Sequence, residues 1–131
     1  MQKFVDIETP YMASSPEQLK RNIRYARACM RDSLLRGETP FASHLLYIQS
    51  GILDDNVPEE RERGIMAGKA LIEGLNATTV VYTDLGLSNG MKLGIEMAKR
   101  SGRNIETRTL GENWEKEFSK NESNHSHKGI W

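Results

Sequence analysis

The sequence predicts an α/β fold of three layers, Rossmann-like or flavodoxin-like, with helices on both faces of a parallel sheet of four to five strands. Three observations predict it. Helical and β-type segments alternate along the chain, the pattern of a parallel sheet with crossover helices. Thr79-Val80-Val81-Tyr82-Thr83 is rich in β-branched residues and uninterrupted, as a strand buried on both faces requires. It passes into Asp84-Leu85-Gly86-Leu87-Ser88-Asn89-Gly90-Met91, a turn that opens a helix, and such junctions are where open α/β sheets bind nucleotide-like ligands.

Each element has its own signal. Lys3 to Ile7 alternates weakly and is broken by Thr9-Pro10-Tyr11, giving a first strand that ends in a loop at the carboxyl edge of the sheet. Ser15 is an N-cap and Pro16 a first helical residue; Leu19, Ile23, Ala26, Met30 and Leu34 follow at steps of three and four before Gly37 ends the helix. Phe41 to Tyr47 fits a strand flowing into a short helix, because Leu45, Leu46, Ile48 and Ile52 suit either period. After a loop from Asp54 to Val57, Pro58-Glu59-Glu60 opens a second helix with Ile65, Gly68, Leu71 and Ile72 as its buried stripe and Gly74 near its end. The strand Thr79 to Thr83 leads to a helix over about Asn89 to Arg100, closed by Gly102, and then to a strand from Ile105 to Leu110. Glu112 to Lys120 reads as a short helix with Trp114 and Phe118 on one side, followed by a polar stretch from Asn121 to Lys128 expected to be a mobile tail. The folded domain is therefore expected over residues 1–111, with the short helix and tail over 112–131.

Composition narrows the function classes. The 131 residues suffice for one domain with a core that needs no metal or disulfide staple. With 18 basic and 18 acidic residues the formal charge is zero, so no overall field draws the chain to a nucleic acid polymer or an anionic membrane. Cys29 is the sole cysteine, which excludes an internal disulfide and fits a reducing compartment. No apolar run approaches the roughly twenty residues of a membrane span, and the first residues lack a basic-then-apolar leader pattern. A cytoplasmic location is expected.

The candidate site gathers around the central junction. Ser88 is an N-cap whose helix would offer its first amides and dipole to a phosphate or carboxylate, with Asn89, Gly90 and Met91 in that first turn and Gly90 allowing close backbone approach. Asp84 ends a buried strand beside that helix and points into the expected crevice, or else caps the turn. Tyr11, with Met12 after it, follows Pro10 at the end of the first strand, where its phenol either donates to a ligand or is half-buried at the loop base. His44 and Tyr47 flank the apolar pair Leu45-Leu46 and are read either as ligand contacts, His44 also as an acid, or as hydrogen-bonded residues at the edge of the core. Arg24 and Arg27 suit a phosphate, a subunit contact or a solvated helix face. Asp54, Asp55, Glu59, Glu60 and Glu62 lack calcium-loop alternation and have arginines between them, and His125 and His127 have no other soft ligand nearby, so no metal site is expected. Met91, Gly94, Ile95 and Ala98 form an inward stripe read as core.

Taken in order, Pro10-Tyr11-Met12-Ala13, Asn22-Ile23-Arg24-Tyr25-Ala26-Arg27, Pro40 to Tyr47, Glu59-Glu60-Arg61 and Ser88-Asn89-Gly90-Met91 resemble a small uncharacterised family of bacteria and their phages. That family is similar in fold to the nucleoside 2-deoxyribosyltransferases and their N-glycosidase relatives. The resemblance spans about Phe4 to Leu110. It implies a compact α/β domain that associates at least as a dimer, in the host cytoplasm if phage-encoded, with a nucleoside or nucleotide cleft over the strand ends. By position Tyr11 matches the family's loop tyrosine, Asp84 the acidic end of the central strand, and Ser88 with Gly90 the phosphate-facing turn. The nucleophilic glutamate of the transferases falls where this chain has Leu93 and Gly94. Glu96 is the nearest carboxylate, but it shares a helix face with Lys92 and Arg100, a spacing that pairs opposite charges in solvent.

The first expectation is thus a protein that binds a nucleotide or nucleoside-derived ligand without turnover, such as a phage product sequestering a signalling nucleotide, with no cofactor. An N-glycosidase or deoxyribosyltransferase using Glu96, Asp84 or a carboxylate of the Asp54–Glu60 loop is the second. The third is an interaction module that meets a protein partner through Trp114, Phe118 and Trp131.

Overall fold

The computed structural model describes residues 2–124. The elements run β1 (Phe4–Glu8), α1 (Pro16–Leu35), β2 (Thr39–Phe41), α2 (Ser43–Leu46), α3 (Pro58–Gly74), β3 (Thr78–Tyr82), α4 (Asn89–Arg100), β4 (Ile105–Arg108) and α5 (Trp114–Asn124). The four strands form one all-parallel sheet in the order β2-β1-β3-β4, and β1 pairs Asp6 with Thr79 and Ile7 with Val80 of β3. Helices flank this sheet in a Rossmann-like three-layer α/β fold.

Strand periodicity of two divides the sheet into unlike faces. Val5, Ile7, Val80 and Tyr82 pack with Tyr25 and Cys29 of α1 and Trp114 of α5 into the larger core. Each such side chain contributes about 1.5–3 kcal/mol on full burial. The opposite face carries Asp6, Thr79 and Phe41, with Ile72 of α3 and Ala77 packed against Phe41. Polar residues are thus buried on a face that α3 and α4 cover.

Helix ends follow the sequence signals. The Ser15 side chain accepts from the Gln18 amide at 3.1 Å, and Pro16 occupies the first turn. Helix α1 is rotated from its apolar reading: Asn22, Tyr25, Ala26, Cys29 and Ser33 are its buried residues, and Leu34 is exposed. The reason is that Asn22 and Ser33 have partners inside, Asn22 donating to the Tyr11 carbonyl at 3.1 Å and Ser33 to Glu38 at 2.7 Å. In α3 the buried residues are Gly64, Gly68 and Ile72, while Ile65 is exposed. A β-carbon at Gly68 would lie 2.9 Å from that of Ser43, so glycine there lets α2 lie against α3. Helix α5 runs through Asn124, four residues into the stretch expected to be a tail; residues 125–131, with His125, His127 and Trp131, lie outside the described residues.

Trp114 and Phe118 do not present a free aromatic surface. Trp114 is buried, edge-on to Tyr25 with ring centroids 5.0 Å apart, and Phe118 packs against the same core. Arg21 and Arg24 lie over these two rings, and Arg24 also donates to Ser119 at 2.6 Å. The aromatics and Arg24 therefore dock α5 on α1.

Candidate functional site

A cavity of about 550 Å³ opens between α3, α4 and the sheet, within the range of small-molecule sites. It lies where strand order reverses, beside the carboxyl end of β1 and the start of α4, as crevices of open α/β sheets do. Among the sequence candidates, Tyr11, Met12, His44, Ser88, Asn89, Gly90 and Met91 all line it.

The α4 end keeps donors to spare. The Ser88 side chain accepts from the Met91 amide at 3.2 Å, and the Ser88 amide donates to the Met91 sulfur at 3.4 Å. The Asn89 and Gly90 amides have no internal partner among the described residues. Arg61 and Lys69 line the same cavity from α3, so cationic side chains and the positive end of the α4 dipole share its lining. Its paired acid, Asp55, stands 3.9 Å from Arg61.

Opposite the rim, the wall is aromatic and neutral. Asn22 holds the loop that carries Tyr11, whose ring tilts against His44 at a centroid distance of 5.0 Å. Burial pushes the His44 imidazolium down to about 4, and burial followed by the charge of Asp55 raises the Tyr11 phenol. Both rings are uncharged at neutral pH.

The floor holds two carboxyl groups that the sequence reading did not single out. Asp6 and Glu8 stand two apart on β1, hence on one sheet face, and both line the cavity. A β-carbon on Gly94 would lie 2.7 Å from the Glu8 carboxyl. Gly94 of α4, read from sequence as plain core, is the seat of Glu8. Arg103 approaches from the loop after α4, donating to the Thr79 hydroxyl at 2.7 Å, and that hydroxyl lies 3.3 Å from Asp6. Buried polar atoms without a partner are the Thr9 hydroxyl, His44 Nε2 and Arg103 Nε among the described residues. All three belong to residues of this one cavity.

Three candidates fall elsewhere. Asp84 does not line the cavity: its carboxylate accepts from the Tyr25 hydroxyl at 2.5 Å, from the Leu110 amide at 2.9 Å and from the Gly111 amide at 3.0 Å, tying the exit of β4 to α1. Its lone pairs are taken up by these contacts within the fold, away from the cavity. Glu96 lies on the exposed side of α4 with Arg100 at 3.5 Å and does not line the cavity. Tyr47 follows α2 at its C-cap and does not line the cavity. The Asp54–Glu60 loop is held by its own contacts, Glu60 accepting from the Asp54 amide at 3.0 Å. No cluster of metal-ligand type occurs among the described residues, and none of their helices is long and apolar enough to cross a membrane.

Fold and cavity together define a three-layer parallel α/β domain whose pocket, with apolar walls and several polar groups, sits at the reversal of strand order. The chain belongs to the family described as a domain of unknown function, DUF7768, whose model matches residues 3–108. No curated protein and no solved structure matches it.

Proposed function

We propose that the protein binds a nucleotide or nucleoside-derived small molecule in this cavity. The observation that carries the reading is a cavity of about 550 Å³ whose lining brings the first turn of α4, with the Asn89 and Gly90 amides, together with Arg61, Lys69, Tyr11 and His44. A phosphate suits the Asn89 and Gly90 amides with Lys69 and Arg61 near, and a base or sugar suits the Tyr11–His44 wall. Retention without turnover, as sequestration of a signalling nucleotide requires, is the form of this reading that needs no nucleophile.

Mass spectrometry of small molecules released from the heat-denatured protein, with calorimetry across AMP, dAMP, ADP-ribose and cyclic dinucleotides, tests it. We expect one of these to bind with one site per chain, His44→Ala to weaken it about tenfold, and Glu96→Gln to leave it unchanged. No released compound and no binding heat across the set would end the reading.

The Asp6–Glu8 pair favours a second reading, an N-glycosidase or deoxyribosyltransferase, since paired carboxyl groups at a cavity floor can supply acid and nucleophile. Release of free base from dAMP, lost in Glu8→Gln, would support it. Intact dAMP after long incubation at high protein concentration would exclude it.

A further inference from the structure

Arg103 has no counterpart among the other arginines. Arg21, Arg24, Arg36, Arg61, Arg100 and Arg108 each stand beside a carboxylate, and Arg27, Arg31 and Arg63, which have no such partner among the described residues, are exposed. Arg103 alone is partly buried, lines the cavity and has no ion-pair partner among the described residues. A guanidinium so placed gives up hydration without the attraction of an anion. A forked donor with an unused nitrogen is the group that holds carboxylates and phosphates.

The side chain is fixed before any guest arrives. Its Nη1 donates to the Thr79 hydroxyl at 2.7 Å and to the Ala77 carbonyl at 3.4 Å, and the Arg103 amide donates to the Ala98 carbonyl at 3.0 Å. Nε is enclosed without a partner, while Nη2 makes no hydrogen bond among the described residues and is not enclosed. Nη2 is the nitrogen left for a ligand. The acids of the floor do not take it. The Thr79 oxygen accepts from Arg103, so the hydroxyl hydrogen goes to Asp6 at 3.3 Å, and Glu8 is seated against Gly94. Burial pushes both carboxyls up, Glu8 well above the ordinary carboxylate range, which weakens their repulsion of an anion beside Arg103.

Arg103 stands at one end of a long cavity. Helix α4 lines it from Asn89 to Met97, about two turns or 12 Å, with Gly94 and the Glu8 seat between them. Arg103 follows the C-terminal end of that helix, and Thr79, which holds it, pairs with Asp6 in mid-strand; Thr9 and Tyr11 lie past the end of β1. Hydrogen bonds of about 3 Å at each end of the cavity leave about 6 Å between two bound anions. A sugar phosphorylated on its 3′ and 5′ carbons crosses that gap, and a pyrophosphate does not.

We propose that Arg103 is a second oxyanion-binding residue, so that the cavity takes a nucleotide with a phosphate on each side of its sugar, one at the start of α4 and the other at Arg103. The ligand class rests on the nucleotide reading given above; the unpaired guanidinium does not.

Calorimetry of the full chain with AMP, ADP and adenosine 3′,5′-bisphosphate tests it. The bisphosphate should bind about tenfold or more tighter than AMP, and ADP, which adds its second phosphate at the same end, should not match that gain. Arg103→Gln should close the gap to within about twofold while leaving AMP affinity in place. A bisphosphate no tighter than AMP, or a gap that survives in Arg103→Gln, overturns the role of Arg103 and leaves the nucleotide reading standing. A second readout needs no variant. The second ionisation of a phosphate monoester falls near pH 6 in water, and a bound guanidinium lowers it, so both ³¹P resonances of the bound bisphosphate should titrate below their free values; one that titrates as in solution counts against a second subsite. Inorganic phosphate judges Arg103 even if every nucleotide fails to bind. It should raise the melting temperature above that in sodium chloride of equal ionic strength, and by less in Arg103→Gln; no rise, or an equal rise in both proteins, overturns the proposal.

Discussion

Asp84→Ala should lower the unfolding free energy by about 3 kcal/mol or more, with a fall in melting temperature on the order of 10 °C. The Asp84 carboxylate takes the Tyr25 hydroxyl, the Leu110 amide and the Gly111 amide, and the Tyr25 oxygen accepts in turn from the Asp84 amide at 2.9 Å. Truncation takes the acceptor from the fully buried Tyr25 and from the part-buried Leu110 amide, while water can replace it at the exposed Gly111. Hydrogen bonds to a charged group are worth about 1.5–3 kcal/mol each, and a stranded buried donor costs more than the bond that was lost. Burial acts to raise the Asp84 pKa, but the hydrogen bonds from Tyr25, Leu110 and Gly111 outweigh it and hold the carboxyl below its usual range. The stabilisation is thus present above the unfolded pKa and lost as pH falls. Urea unfolding at neutral pH measures the effect. A variant as stable as the parent that instead loses ligand would return Asp84 to the site.

The same residue shows where sequence stops being informative. An aspartate ending a β-branched strand before a small-residue turn looks alike whether it faces a ligand or a neighbouring backbone. Its partners here are Tyr25, 59 positions earlier, and two amides beyond β4. No local pattern announces them. The fold was legible because its evidence is local: the β-branched run at β3, the caps at Ser15 and Ser88, the proline starts of α1 and α3 and the alternation of element types all appear in the structure. So was the rim of the cavity, since Tyr11, His44 and the Ser88–Met91 turn lie at chain junctions that the alternation itself places at the strand ends. The interpretation of Glu96 as a surface ion pair also follows from spacing alone.

The floor was missed for a physical reason. Val5-Asp6-Ile7-Glu8 alternates as a half-solvated strand does, yet β1 lies inside the sheet between β2 and β3, and α3 and α4 cover its polar face. What the sequence offered was parity: two acids two apart on the first strand of an α/β sheet, a strand that is interior in this strand order. Gly94 supplies the complementary half. Its missing side chain looks like a lost catalytic group when the helix is considered alone, but space for a β-carbon is occupied by the Glu8 carboxyl. A strand carboxyl seated where the helix lacks a side chain is visible only when both elements are seen packed.

The opposite face of the sheet hosts a second buried polar group whose loss should be nearly as severe, at about 3 kcal/mol for Glu38→Gln. Arg108 of β4 grips Glu38 with both terminal nitrogens, at 2.8 and 2.7 Å, while Ser33 donates to the same carboxylate at 2.7 Å. The two side chains are 7% and 10% exposed, so water neither screens the pair nor replaces it. Glutamine keeps the volume but leaves the guanidinium with Tyr82 at 3.2 Å and the half-exposed Glu106 at 3.3 Å. The hydrogen bond from Arg108 is the main cause that holds the Glu38 carboxyl at about 2. Its contribution is therefore full above the unfolded value and is lost as pH falls from about 4.5 toward 2. Parent and Glu38→Gln should differ most at neutral pH and converge in acid, as followed by urea midpoints across that range. Because a buried pair is costly mainly when half of it remains, Glu38→Leu combined with Arg108→Met should recover a substantial part of the loss. A double variant no better than the single would mean instead that Ser33, Tyr82 and Lys3, whose ammonium stands 3.4 Å from Glu38, each depend on the charges of the pair, and that this face is fixed by a network and not by two partners.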